Sequence, residues 1–145
     1  MKIQQGEIER ALITKLLSVA PAWSTKLPGI AFTPVASAPW QRGTVLMANP
    51  ETVAFGFGAY HRVEGIYQID LFYPVSERRT DILYAKADAV ATAFYPANSR
   101  GLKLSAGTSD IFIDALPSRS GVIEDSPTHN KVIVEIHFSA DDSPA

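Results

Sequence analysis

The stretch His61-Arg-Val-Glu-Gly-Ile-Tyr-Gln-Ile-Asp-Leu-Phe-Tyr-Pro74 decides the fold. Its odd-numbered positions are almost wholly apolar, and they are Val63, Gly65, Tyr67, Ile69, Leu71 and Tyr73. Its even-numbered positions are mostly polar, among them Arg62, Glu64, Gln68 and Asp70. Because successive side chains of a strand point to opposite faces, this alternation predicts a long strand with one buried side. Pro74 ends the strand, since it has no N–H to give to a ladder.

A helix is predicted directly after this strand, over Thr80–Tyr95. Leu83, Ala87, Val90 and Phe94 recur at helical spacing and form the stripe expected to face the strand. The segment is rich in alanine, which favours helix, and it ends at Pro96. We therefore expect this helix to pack on Tyr67, Ile69 and Leu71.

A first helix is predicted over Glu7–Val19, where apolar residues recur every three or four positions. The proline-containing stretch Ile30–Trp40 reads as an extended connection with a short edge strand around Ala31 and Phe32. Gly43–Ala48 is the next strand candidate, and Asn49-Pro50 marks a turn. Val53–Phe57 then forms either a hairpin with the central strand or an extended loop.

Three further strands are predicted in the second half of the chain, at 102–106, 110–116 and 131–139. Between the last two lies the polar stretch Pro117–Asn130, a long loop of the kind that is usually functional or disordered. The pattern as a whole predicts an α+β fold in which two helices pack on one face of a twisted, mainly antiparallel sheet. We expect one domain over residues 1–140 and a flexible tail over 141–145.

Composition excludes several classes of function. The 145 residues contain 13 Lys+Arg against 15 Asp+Glu, so no basic surface for nucleic acid or an anionic membrane is expected. There is no cysteine, which excludes disulfides and thiolate chemistry and agrees with synthesis in a reducing cytoplasm. The N-terminus lacks a signal-peptide pattern, and no apolar run reaches the about 18 residues of a membrane helix.

No constellation of residues predicts catalysis, a metal site or a cofactor site. The three histidines, His61, His129 and His137, have no metal-ligand spacing and no cysteine to complete a zinc site. No G-x-S-x-G elbow is present. A catalytic pair among the strand carboxylates Glu64, Asp70, Asp114 and Glu135 is geometrically allowed, but solvent-facing sheet carboxylates are far commoner.

The segment Phe55-Gly-Phe-Gly-Ala-Tyr60 alternates glycines with aromatic residues. A dinucleotide loop does not fit, because no helix pattern begins after the glycines. An RNA-recognition strand would need a basic residue before the first glycine, where Ala54 and Phe55 stand. A flexible aromatic loop that packs on a neighbouring subunit is the simpler interpretation.

Several stretches in sequence carry a resemblance to a known family. They are the opening helix 8–19, "Ala-Phe-Thr-Pro-Val-Ala-Ser-Ala-Pro-Trp" at 31–40, "Tyr-Gln-Ile-Asp-Leu-Phe-Tyr-Pro" at 67–74, "Ala-Asp-Ala-Val-Ala-Thr-Ala-Phe-Tyr-Pro" at 87–96 and "Gly-Val-Ile-Glu-Asp" at 121–125. In this order and spacing the chain resembles the tail terminator-like proteins, minor tail proteins of long-tailed bacteriophages and prophages.

The resemblance implies a structural protein without catalytic residues. Such proteins form a ring, typically a hexamer, at the head-proximal end of the tail tube in the virion. The ring stops polymerisation of the tube protein and offers a surface to head-completion or neck proteins. A related neck protein is the first alternative, followed by an RNA- or ligand-binding module that uses 55–60 and by a small enzyme built on the sheet carboxylates.

Two segments are predicted to make the subunit and tube contacts, 49–60 and 117–130. Aromatic residues anchor interfaces more often than other types do, and loop aromatics have little to bury against in an isolated chain. Charged residues nearby are expected to set register more than affinity. The predicted interface residues are Phe55, Phe57, Tyr60, Arg62, Arg119, Glu124 and Asp125.

Overall fold

The structure is a computed structural model that describes residues 5–48, 51–52, 61–96, 101–107 and 109–142. Two helices are present in this part, α1 (Gln5–Leu17) and α2 (Thr80–Ala93). The strands before α2 are β1 (Ser24–Lys26), β2 (Trp40–Met47), β3 (Glu51–Thr52) and β4 (His61–Pro74), followed by a 3-10 turn at Val75–Glu77. The strands after it are β5 (Leu102–Ala106), β6 (Ser109–Ile113), β7 (Ser118–Arg119), β8 (Ile123–Glu124) and β9 (His129–Asp142).

All these strands belong to one sheet, in the order β1-β2-β4-β9-β6-β5. The short strands lie off this path, with β3 paired to β4 and with β7 and β8 paired to β9. Every pairing is antiparallel except β1 with β2, which is parallel. The predicted α+β fold with a mainly antiparallel sheet is therefore confirmed, and β4 and β9 form its centre.

The core lies between the two helices and one face of the sheet, which we call the helix face. The predicted phase of β4 is confirmed, because Tyr67, Ile69 and Leu71 are buried together with Leu83 and Val90 of α2. Most of the remaining core residues come from α1, β6 and β9, and they include Ile8, Leu12, Leu16, Ile111, Ile113, Val132, Val134, Ile136 and Phe138.

Gly43 is required by the packing of the helix face. A Cβ at this position would overlap the hydroxyl and ring of Tyr67, which lies across β2. That hydroxyl is buried and has no hydrogen-bond partner among the described residues. Burial raises the pKa of Tyr67 above its usual range, so the side chain stays neutral in the core.

A buried lysine of α2, which no pattern in the sequence singles out, binds the chain segment that follows α1. The Lys86 amine donates to the carbonyl oxygens of Val19, at 3.1 Å, and Pro21, at 2.5 Å. It also lies 5.5 Å from the ring centroid of Trp23, which packs against the core. Burial lowers the pKa of Lys86. The amine of α2 thus fixes the chain segment that leaves α1.

The predicted edge strand around Ala31 and Phe32 is wrong. The edge strand is β1, which begins seven residues earlier than Ala31 and pairs with Trp40–Arg42 of β2. The stretch 31–35 has no regular secondary structure, and Phe32 packs on the Trp40 ring at a centroid distance of 5.2 Å. Side-chain stacking, rather than a ladder, therefore positions this connection.

The predicted loop 117–130 is partly strand. β7 and β8 pair with β9, and between them the Ser120 hydroxyl oxygen accepts a hydrogen bond from the Ile133 N–H at 2.9 Å. The last strand begins earlier and runs further than predicted, to Asp142. The predicted hairpin strand Val53–Phe57 lies outside the described residues, whereas β3 pairs with the first two residues of β4.

Candidate subunit interface

Three of the predicted interface residues, Arg119, Glu124 and Asp125, lie on one ordered segment beside β9. We call residues 117–128 the strap. The strap runs along the edge of β9 and is attached to it through β7 and β8. The structure therefore brings these three residues together, as their proximity in the sequence suggested.

The strap is attached to α2 on its other side. The Arg119 guanidinium lies 4.7 Å from the centroid of the Tyr84 ring, a cation–π distance, and its Nε lies 3.6 Å from Asp88 Oδ1. The Tyr84 hydroxyl accepts a hydrogen bond from the Val122 N–H at 3.2 Å. The Arg119 guanidinium thus already contacts Tyr84 and Asp88 within the subunit, and these contacts help to order the strap.

The acidic end of the strap is held to β9 by backbone hydrogen bonds and one ion pair. Asp125 donates its N–H to the His129 carbonyl, and its carboxylate lies 3.5 Å from the Lys131 amine. Glu124 is exposed and makes no ion pair with a described residue. Ile123, which precedes Glu124 in the strap, remains 38% exposed. The strap therefore presents a fixed ridge that combines exposed apolar and acidic side chains.

Arg62 does not join the strap. Its guanidinium binds both carboxylate oxygens of Asp141, with Nε–Oδ1 at 2.8 Å and Nη2–Oδ2 at 3.2 Å. On β9 this partner lies eleven positions from Asn130, the partner of Glu124. At roughly 3.3 Å per strand residue the two sites are about 36 Å apart. The predicted set of charges therefore divides into two separate sites.

Arg62 lines a hollow on the face of the sheet opposite the helices, which we call the outer face. The hollow has a volume of about 490 Å³. Its polar lining includes Glu64, Asp114 and His137, and its apolar lining includes Phe112. No group of three or more His, Asp or Glu side chains that could hold a metal ion occurs in the described part of the chain.

Asp70, one of the carboxylates considered for catalysis, is engaged in the packing of the outer face. It is buried, and its Oδ2 accepts from the Arg42 guanidinium at 2.9 Å while its Oδ1 accepts from the Gln68 amide at 3.2 Å. Glu64 and Asp114 are exposed and Glu135 is half-buried. A carboxylate held by an arginine in this way serves as an acceptor inside the sheet.

An aromatic cluster on the outer face was missed by the sequence reasoning. Trp40 stacks on Phe72 at a centroid distance of 3.9 Å and an angle of 5°, and Phe32 covers Trp40. Arg42 lies 5.5 Å from the Phe72 centroid. Trp40 and Phe72 are direct cross-strand partners, as are Arg42 and Asp70. These pairs follow from the register of β2 against β4, which the sequence does not give.

The aromatic residues Phe55, Phe57 and Tyr60 lie outside the described residues. Their assignment to the interface stays a prediction. Neither α1 nor α2 is long and apolar enough to cross a membrane, and the same holds for any helix in the described ranges.

Comparison with known proteins identifies the family. A family profile described as "Phage tail terminator protein" matches residues 7–138. No protein of curated function matches the chain. A solved structure whose name states no function has a TM-score of 0.69 with 18% sequence identity, and the alignment covers 99% of each chain. At this identity the structural likeness shows the fold alone.

Proposed function

Because the chain belongs to the phage tail terminator family, a family of structural tail proteins, we propose that it forms a hexameric ring on the head-proximal end of the tail tube. The ring ends polymerisation of the tube protein. Its exposed side provides the surface to which a head-completion or neck protein attaches. The chain is made in the cytoplasm of the bacterial host and is incorporated into the virion when the tail reaches its final length.

The family match carries this proposal, since it spans nearly the whole chain from residue 7 to residue 138. The form of the strap supports it. A contact surface that is already ordered loses little conformational entropy on binding, and the strap is tied to both α2 and β9. Glu124 and Asp125 would then fix the register of the neighbouring protein, as rim charges commonly do.

The test is growth of tail tubes from purified tube protein in the presence of this protein. We expect capped tubes that stop lengthening, with a ring visible at one end by electron microscopy. Glu124→Lys with Asp125→Lys should reduce capping by at least about tenfold, because charge complementarity governs encounter and register at such surfaces.

Asp114→Lys is the control, since Asp114 is also exposed but lies on the outer face beside Arg62 and Asp141, away from Glu124 and Asp125. It should leave capping unchanged if the strap is the contact surface. Tubes that lengthen at the same rate with and without the wild-type protein would overturn the proposed function itself.

A further inference from the structure

Two strand edges of the sheet have no neighbour in the part of the chain that the structure describes. β5 pairs with β6 on one side only, which leaves the edge Leu102–Ala106 open. β1 covers only Trp40–Arg42 of β2, which leaves the edge Gly43–Met47 open. Each open edge is thus five residues long, and the two lie toward opposite ends of the strand order.

The β2 edge carries none of the features that usually prevent pairing with another chain, and the β5 edge carries one, the exposed side chain of Lys103. Such edges are protected by proline, by bulges, by very short strands or by exposed charges. The open edges contain no proline, and their one charged residue is Lys103. Its amine lies 3.3 Å from Asp110 of the adjacent strand, so its charge is already partnered within the sheet. Within the described ranges, the outward side of each edge therefore has no strand partner.

The side chains of the two edges have the same alternation. On the helix face β2 places Gly43, Val45 and Met47, and β5 places Leu102, Leu104 and Ala106, as their cross-strand partners show. Val45, Met47, Leu102 and Leu104 are only partly buried against the core. The positions between them, on the outer face, are Thr44, Leu46, Lys103 and Ser105. An added strand would therefore complete the burial of an apolar row at either edge.

A hollow lies beside each edge. A groove of about 430 Å³ runs between α1 and β5, with Ala11, Leu104 and Ala106 in its lining and Arg10 at its rim. A smaller hollow of about 190 Å³ lies beside β2, between Glu9 and Lys26. Each hollow is lined by both acidic and basic side chains, so no block of like charge opposes contact between them.

We propose that the β5 edge of one copy pairs with the β2 edge of the next copy, so that the sheets of neighbouring subunits join. This inference rests on the proposed function in one respect, that the occupant is a second copy of the chain. Because the two edges differ, the contact is heterologous, and its repetition closes a ring when the rotation between subunits allows it. The backbone ladder supplies affinity and the matched apolar rows supply the register.

The test uses the absence of cysteine from the chain. Thr44→Cys and Ser105→Cys each place one thiol at an exposed position on the outer face of an open edge. When the two single variants are mixed, a short bismaleimide should link them into dimers. The double variant should give a ladder of covalent species that stops at the number of subunits in the ring. Either single variant alone should give almost no product.

Thr44→Cys mixed with Ser76→Cys is the matched control, because Ser76 is exposed but lies in the 3-10 turn after β4. Circular dichroism of each variant establishes that the fold is intact. One outcome is that light scattering shows a ring while no linkage forms between positions 44 and 105. That result would overturn the edge pairing but would leave the proposed function standing. Efficient linkage of Ser105→Cys alone would indicate a two-fold β5–β5 contact and would also overturn it. A protein that remains monomeric and unlinked, even with the tail tube present, would overturn both.

Discussion

Replacing Ile69 by alanine should lower the free energy of unfolding by about 2–5 kcal/mol. Ile69 is completely buried in the middle of β4, where it lies between Gly43 of β2 and Val134 of β9. Gly43 has no side chain that could move into the space left by the removed methyl groups. The cavity therefore persists, and its cost adds to the lost burial. Urea unfolding followed by circular dichroism measures the change.

Ile66→Ala on the same strand is the control. Ile66 points to the outer face, pairs with His137 and is only half-buried. The same chemical change should cost well under half as much there, because water already reaches the side chain and little cavity is formed. Equal losses at the two positions would contradict the assignment of the helix face as the core.

Replacing Arg42 by alanine should cost about 2 kcal/mol, although the arginine is itself partly exposed. The Asp70 side chain is only 2% exposed, against 38% for Arg42. Loss of the guanidinium leaves a buried carboxylate with the Gln68 amide as its remaining side-chain partner. The exposure of Arg42 keeps the effect below that of a fully buried pair.

Arg79→Ala is the matched comparison, because it removes an arginine from an ion pair with the same N–O distance. The Arg79–Asp81 pair also has an N–O distance of 2.9 Å, but its side chains are 57% and 67% exposed. Solvent screens such an exposed pair, so this variant should unfold at nearly the wild-type urea concentration. If the two arginine variants lose the same stability, burial of Asp70 is not what makes the Arg42 pair matter.

The central part of the fold could be predicted because it depends on local periodicity. The alternation in β4 and β9 and the helical spacing in α2 identified the buried side chains Tyr67, Ile69, Leu83 and Val90 without any knowledge of tertiary contacts. In each of these elements one face is apolar over many residues, so small errors in the boundaries leave the phase unchanged.

The edges of the sheet could not be predicted in the same way. Ser24–Lys26 carries no apolar alternation, and it becomes a strand because β2 offers it a partner. Ala31 and Phe32 have a better strand pattern but lie outside the ladder, since Phe32 stacks on Trp40. The burial of Asp70 likewise depends on the cross-strand position of Arg42, a contact between residues 28 positions apart.

In the candidate interface, too, local sequence predicts some features and tertiary contacts determine the others. Arg119, Glu124 and Asp125 are close in the sequence, so their common location on the strap followed from local reasoning. Arg62 follows the other predicted segment, 49–60, in the sequence, and its partner Asp141 lies at the end of β9 that is far from Glu124. The attachment of the strap to Tyr84 required the packing of α2, which no local pattern contains.

The most direct test of the proposed role is the distribution of tail lengths in particles of a phage whose copy of this gene carries an early stop codon. The account predicts tails of variable and excessive length, unattached to heads, and a return to uniform length when the wild-type protein is supplied from a plasmid. Tails of normal, uniform length that fail to join heads would contradict termination and would assign the protein to the neck instead.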